Sequence, residues 1–148
     1  MTSLRIPATL FTLAALAALA ALASVASAES PEEAAARVPL ELYLKGHATG
    51  NGDYWRQAFH EGAKIQGIRE GQLVSRTREE FAKGAPGKPA DDEAQRKRRI
   101  VSLDVVGDAA YAKIDLDYPK VHFTDYMTLL KVDGEWKIMS KVYQARPK

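Results

Sequence analysis

Phe123-Thr124-Asp125-Tyr126-Met127-Thr128-Leu129-Leu130-Lys131-Val132-Asp133-Gly134-Glu135-Trp136-Lys137-Ile138 carries the strongest structural signal in the chain. Both central positions of a type I′ turn need positive φ, and Asp133-Gly134 tolerates it, so the flanking β-type residues read as a hairpin pairing Leu129 with Ile138. Turns at Gly107-Asp108 and Pro119-Lys120 extend the pattern, pairing Leu103 with Ala112 and Leu116 with Phe123. These registers predict one apolar sheet face with Val101, Leu103, Ala112, Ile114, Leu116, Phe123, Met127, Leu129, Trp136, Ile138 and Val142. The opposite face collects Arg98, Tyr111, Lys113, Tyr126, Thr128, Lys141 and Tyr143, polar but rich in tyrosine.

Upstream of the strands the punctuation is helical, and helices followed by strands favour an α+β fold over an alternating α/β one. Ser30-Pro31-Glu32-Glu33 combines an N-cap, a first-turn proline and acidic residues, so a helix should run to about Ala48, with a kink or restart at Pro39. Asn51-Gly52-Asp53 breaks it and caps a short second helix carrying Trp55, Ala58 and Phe59, with His60 at its end. Ala63 to Ile68 and Gln72 to Arg76 read as short strands. Thr77-Arg78-Glu79-Glu80 is a capping box for a third helix, followed by a Pro/Gly-rich loop from Gly84 to Asp92.

The first 28 residues read as a signal peptide: one charge at Arg5, a Leu/Ala-rich centre, and Ala26-Ser27-Ala28 before Glu29. An uncleaved membrane anchor is the alternative. Cleavage would leave residues 29–148 as one domain, periplasmic or secreted and free of the membrane. The chain has no cysteine, so its stability rests on its core. Twenty-one basic against 19 acidic side chains give no general attraction to nucleic acid, and the run Arg96-Lys97-Arg98-Arg99 is better explained by cross-strand charge pairing, with Arg98 facing Asp117 and Ile100 facing Asp115.

Asp125 is the residue that does not suit its predicted face. The register sets it beside Ile114 and Val142 with Ser140 diagonal, where a carboxylate needs a partner or a cavity. It is the first candidate for an acid, a base or a ligand anchor, against a structural alternative in which it bonds backbone amides or a helix end, or in which the register slips there. His60 at the predicted cavity mouth, His47 and Tyr43 on the first helix, and Trp55, Phe59 and Ser140 complete the candidate ligand-binding set. His47, His60 and His122 show no metal-ligand spacing, and no phosphate loop or nucleophile elbow is present, so no metal or cofactor is expected.

Residues 42–47 (Leu-Tyr-Leu-Lys-Gly-His) with Gly50-Asn51-Gly52-Asp53, residues 58–64 (Ala-Phe-His-Glu-Gly-Ala-Lys), and above all the hairpin at 123–138 resemble the putative lumazine-binding family of the nuclear-transport-factor-2-like superfamily, over nearly the whole of 29–148. The resemblance implies helices packed on a strongly curved antiparallel sheet that forms a cone, a conical pocket behind the sheet, and often a homodimer through the sheet. Three functional classes follow from the residues and the resemblance together. The first is a non-catalytic domain binding a small, partly apolar molecule. A cofactor-independent lyase or isomerase of the ketosteroid-isomerase or dehydratase type is the second, with Tyr43 and Asp125 as oxyanion donors or His60 and Asp125 as a dehydratase pair. No carboxylate stands in residues 63–67 where those isomerases place their base. The third is a protein-interaction module using the outer sheet face.

Overall fold

The computed structural model describes residues 29–148; the predicted signal peptide lies outside them. Helix α1 (Pro31–Thr49) opens as its sequence predicts, with the Ser30 hydroxyl accepting the Glu33 amide at 3.1 Å and two glutamates at the positive end of the helix dipole. It continues through Pro39 without a restart and closes on Gly50 at φ 67°. Pro39 is buried, so its packing offsets the lost amide bond to Ala35. Asn51 caps α2 (Gly52–Ala58).

The chain passes from α2 directly into β1 (Phe59–Arg69), which begins four residues before the predicted start at Ala63. Phe59 pairs with Ile138 across the sheet, and that long-range pairing overrides the local helical reading. His60 is therefore a strand residue, not a helix end. β2 (Gln72–Thr77) leads to α3 (Arg78–Lys83), where Thr77 and Glu80 form both halves of the capping box at 3.2 and 2.7 Å. A loop with one 3-10 turn at Glu93–Gln95 precedes β3 (Lys97–Val106), β4 (Ala109–Tyr118), β5 (Val121–Val132) and β6 (Glu135–Pro147).

The six strands lie in the order β2-β1-β6-β5-β4-β3. The last four form a meander that starts at the far edge and ends with β6 against β1. That pair runs parallel, so the sheet is mixed where a wholly antiparallel one was expected. All three predicted hairpin pairings are present: Leu129 with Ile138, Leu103 with Ala112, and Leu116 with Phe123. Asp133 and Gly134 take φ of 50° and 83°, as the type I′ turn demands.

Two β-bulges alter what those registers predict further along the strands. Met139 is left unpaired between Leu129–Ile138 and Thr128–Ser140, so Asp125 pairs with Tyr143 and not with Val142. Side-chain period is two residues, so one extra residue exchanges the faces. Lys141 and Tyr143 turn inward, while Val142 and Ser140 turn outward. Val101 is the extra residue in β3, so Arg98 pairs with Leu116, Ile100 with Ile114, and Arg99 takes Asp115 as its ion partner at 2.9 Å. Helices α1 and α2 cover the inner face, where Leu40, Tyr43, Trp55, Ile114, Met127, Leu129 and Ile138 form the core.

Candidate functional site

Tyr43 follows Leu40 on the inward stripe of α1 and descends onto the sheet where β5 and β6 meet. Its hydroxyl donates to Asp125 Oδ2 at 2.5 Å and accepts from Lys141 Nζ at 2.5 Å, while Lys141 Nζ lies 3.1 Å from the same carboxylate oxygen. Asp125 is 0% exposed and Lys141 4%. The two are diagonal neighbours on β5 and β6, a placement that exists only because of the bulge at Met139. One ammonium, one carboxylate and one phenol thus form an electroneutral cluster, as charges excluded from water require. Asp125 Oδ1 has no hydrogen-bond partner among the described residues.

Burial first, then the neighbouring Asp125, pushes the Tyr43 phenol well above its ordinary value, so it stays protonated. Burial pulls the Lys141 ammonium below its ordinary value, although Asp125 acts in the opposite sense. His47, one turn after Tyr43, meets the Tyr43 ring edge-on at 4.7 Å and Trp55 at 4.8 Å. Part of its ring faces the cavity, but Nε2 is shut off from solvent and unpartnered. Burial, followed by the charges of Lys141, Arg98 and Arg96, pulls its imidazole well below the ordinary range and keeps it neutral. The inward-turned Arg98 is held by Glu93 at 2.5 and 2.8 Å and by the Tyr118 hydroxyl at 3.1 Å, so its charge is already matched.

A cavity of about 450 Å³ opens beside this cluster, walled by His47, Phe81, Phe123 and Tyr143, with Lys141 in its lining and Arg69 and Arg76 at its exposed edge. Ile65 pairs with Arg76 on one side and Lys141 on the other, so the three stand in one row across β2, β1 and β6. Gly67 makes room for this wall: a Cβ there would sit 2.5 Å from the Tyr143 ring. A larger depression of about 610 Å³ runs along the solvent side of α1, lined by Val38, Glu41 and Lys45, but it lies away from the Tyr43–Asp125–Lys141 cluster.

Of the residues proposed from sequence, the structure brings Tyr43, Asp125 and His47 together. Trp55 and Phe59 stand behind them: the Trp55 indole donates to the Tyr43 carbonyl at 3.1 Å and stacks on Phe81 at 4.3 Å, and Phe59 meets Tyr43 edge-on at 5.8 Å. His60 accepts the Gly62 amide at 3.1 Å and is not in the cavity lining. Ser140 bonds the Thr128 hydroxyl at 2.8 Å on the outer face. Sequence reasoning missed Lys141, Tyr143, Phe81, Phe123, Arg69 and Arg76 as cavity residues. The Glu70-Gly71 dipeptide, with φ of 51° and 78°, was the available signal for Arg76, since a two-residue turn there pairs it with Ile65. Among the described residues no group of side chains could hold a metal ion.

This helix-covered, bent sheet with a polar cluster under its first helix defines a nuclear-transport-factor-2-like protein. The chain belongs to the family described as putative lumazine-binding, whose model matches residues 31–144. It is similar to a nuclear-transport-factor-2-like protein of unknown function from Shewanella baltica, at 30% identity and TM-score 0.71, covering 79% of this chain and 95% of that one. A second such protein, from Silicibacter pomeroyi, is 28% identical with TM-score 0.68, covering 78% and 96%. A ketosteroid isomerase-like protein from Erwinia carotovora atroseptica shares the fold at 11% identity and TM-score 0.62, covering 78% and 97%. Among curated proteins, aldolase FrzH of a Cladobotryum species is 18% identical over 106 residues, 72% of this chain and 85% of that protein.

Proposed function

We propose that this domain binds a small, partly apolar organic anion in the cavity beside Lys141. The observation that carries the reading is the sign of the lining: its charged side chains are Arg69, Arg76 and Lys141, with no carboxylate among them. Lys141 is neutralised by Asp125, whereas neither Arg69 nor Arg76 makes an ion pair within 4 Å among the described residues, Arg76 acting on Glu80 only at longer range. Two free guanidinium groups at the edge of an aromatic-walled cavity suit a flat molecule with a carboxylate or similar group at one end. The family description is consistent with a planar ligand.

The isomerase reading has less support, because Tyr43 donates its proton into Asp125 and neither group is aimed at the cavity as an oxyanion donor. The aldolase relative and the buried Lys141 together favour carbon–carbon lyase chemistry as the second reading. The proposal also includes export directed by residues 1–28 and a homodimer through the outer sheet face.

Titration with 4-methylbenzoate and with its uncharged amide, followed by calorimetry, tests the binding reading. The carboxylate should bind saturably and weaken about tenfold or more in Arg76→Ala, while the amide should not bind, since charge-assisted bonds to guanidinium supply the difference. Equal behaviour of the two compounds would remove the anion from the proposal.

A further inference from the structure

Lysine 141 sits where an ion pair alone does not explain it. We infer that Lys141 is a carbonyl-reactive amine, and that the cavity holds a small carboxylate-bearing aldehyde or ketone as an imine on its Nζ. The inference rests on the anion-binding reading and names the ligand's second functional group. Lys141 is almost wholly buried, yet its side chain lines the open cavity. Its Nζ lies 4.9 Å from the Tyr43 ring, 5.3 Å from Phe81 and 5.1 Å from Tyr143, so it stands among three aromatic rings. Buried ion pairs contribute little net stability, whereas a desolvated amine in a hydrophobic pocket is the form of lysine that attacks carbonyl carbon.

The row through Ile65 supplies the second anchor. Arg76 and Lys141 face the same side two strands apart, a backbone separation of about 10 Å from the strand spacing. A ligand with its carboxylate at Arg76 therefore directs its far end toward Nζ. The unpartnered Oδ1 of Asp125 is a place for a proton.

The chemistry balances within these groups. The ammonium passes one proton to Asp125, and the freed nitrogen pair forms the C–N bond as the carbonyl π pair moves to oxygen. That oxygen takes a proton from the attacking nitrogen to give a carbinolamine. The C–O bond then breaks and water leaves with a second nitrogen proton, and Asp125 returns its proton to the imine nitrogen. One ammonium and one carbonyl give one protonated imine and one water, with no oxidant or reductant.

The test incubates the protein with 4-formylbenzoate, reduces with borohydride, and maps the modified lysines by peptide mass. Lys141 should be labelled about tenfold or more faster than the exposed Lys45 and Lys120, because a carboxylate held at Arg76 keeps the aldehyde beside Nζ at a high effective concentration. Added 4-methylbenzoate should slow the labelling. Lys141→Arg should abolish the adduct; in case that variant does not fold, Arg76→Ala, on the exposed edge, should slow labelling by 4-formylbenzoate but not by benzaldehyde. Labels confined to exposed lysines in the folded protein overturn the inference. If 4-methylbenzoate still binds in that case, the anion reading stands alone. If Lys141 reacts with benzaldehyde while no carboxylate binds, the anion reading fails and the amine chemistry stands.

Discussion

Tyr43, Asp125 and Lys141 share two short hydrogen bonds and one ion pair at a buried position, so each holds the others' charge in balance. Removing one partner should be far worse than removing both. Lys141→Met leaves a buried, uncompensated carboxylate and should lose about 3–5 kcal/mol, whereas adding Asp125→Leu to it should recover part of that loss. Urea unfolding of the two single variants and the double measures the difference; additive losses would mean that the ions are not coupled. His47 makes a second prediction at this scale. Its folded pKa lies well below 6.5 and its unfolded one near 6.5, so between those values unfolding takes up a proton. Stability must then fall as pH drops below 6.5, with a slope approaching 1.4 kcal/mol per pH unit, roughly the value for one proton. The depressed carboxylates Glu32, Glu79, Glu80, Asp115 and Asp117 add the same sign of slope only near and below their ordinary values of 4.5 and 3.8. Denaturant midpoints measured from neutral pH down to about 5 should decline in the native protein and flatten in His47→Gln.

Strands carry the site through their bulges, and this is where the sequence ceases to be readable. The hairpin turns announce themselves because Asp133-Gly134 and its counterparts need particular backbone angles, and every pairing set by a turn is correct near that turn. A bulge has no comparable local signature. Ile138-Met139-Ser140-Lys141-Val142-Tyr143 satisfies either alternation, and only the packing of Tyr43 from α1 onto the sheet favours the register with lysine inward. Hence Asp125 could be singled out as an ill-placed charge, while its partner could not. Deleting Met139 should remove the bulge while leaving Ser140 opposite Thr128 and Lys141 opposite Met127, so Lys141 stays inward and Val142 outward. The Lys141 adduct with 4-formylbenzoate should therefore form in the deletion variant as it does in the native strand. A folded deletion variant that no longer forms the adduct would show that the strand slips once Met139 is lost. The same wall depends on Gly67: Gly67→Ala should push the Tyr143 ring into the cavity and lose about 1–3 kcal/mol through overpacking, with weakened 4-methylbenzoate binding.

At the scale of the molecule, the bulge that builds the cavity also shapes the opposite surface. Turning Lys141 inward sends Val142 outward, where it pairs with Tyr126 across β5 and β6; the two are 48% and 49% exposed. Tyr111 on β4 and Leu130 on β5 are exposed as well, so apolar area gathers on a sheet face that no helix among the described residues covers. Such a patch on an antiparallel region is best buried against a copy of itself, since a twofold dimer covers both patches with one interface. Helices already occupy the inner face, so the dimer would leave both cavities open and independent. The protein should therefore sediment as a dimer at micromolar concentration. Tyr126→Lys, which places two like charges near the twofold axis, should yield a monomer that keeps its fold and its affinity for 4-methylbenzoate. A monomeric native protein would leave the outer tyrosines without this role, and loss of ligand binding on dissociation would show that the cavity draws on the partner after all.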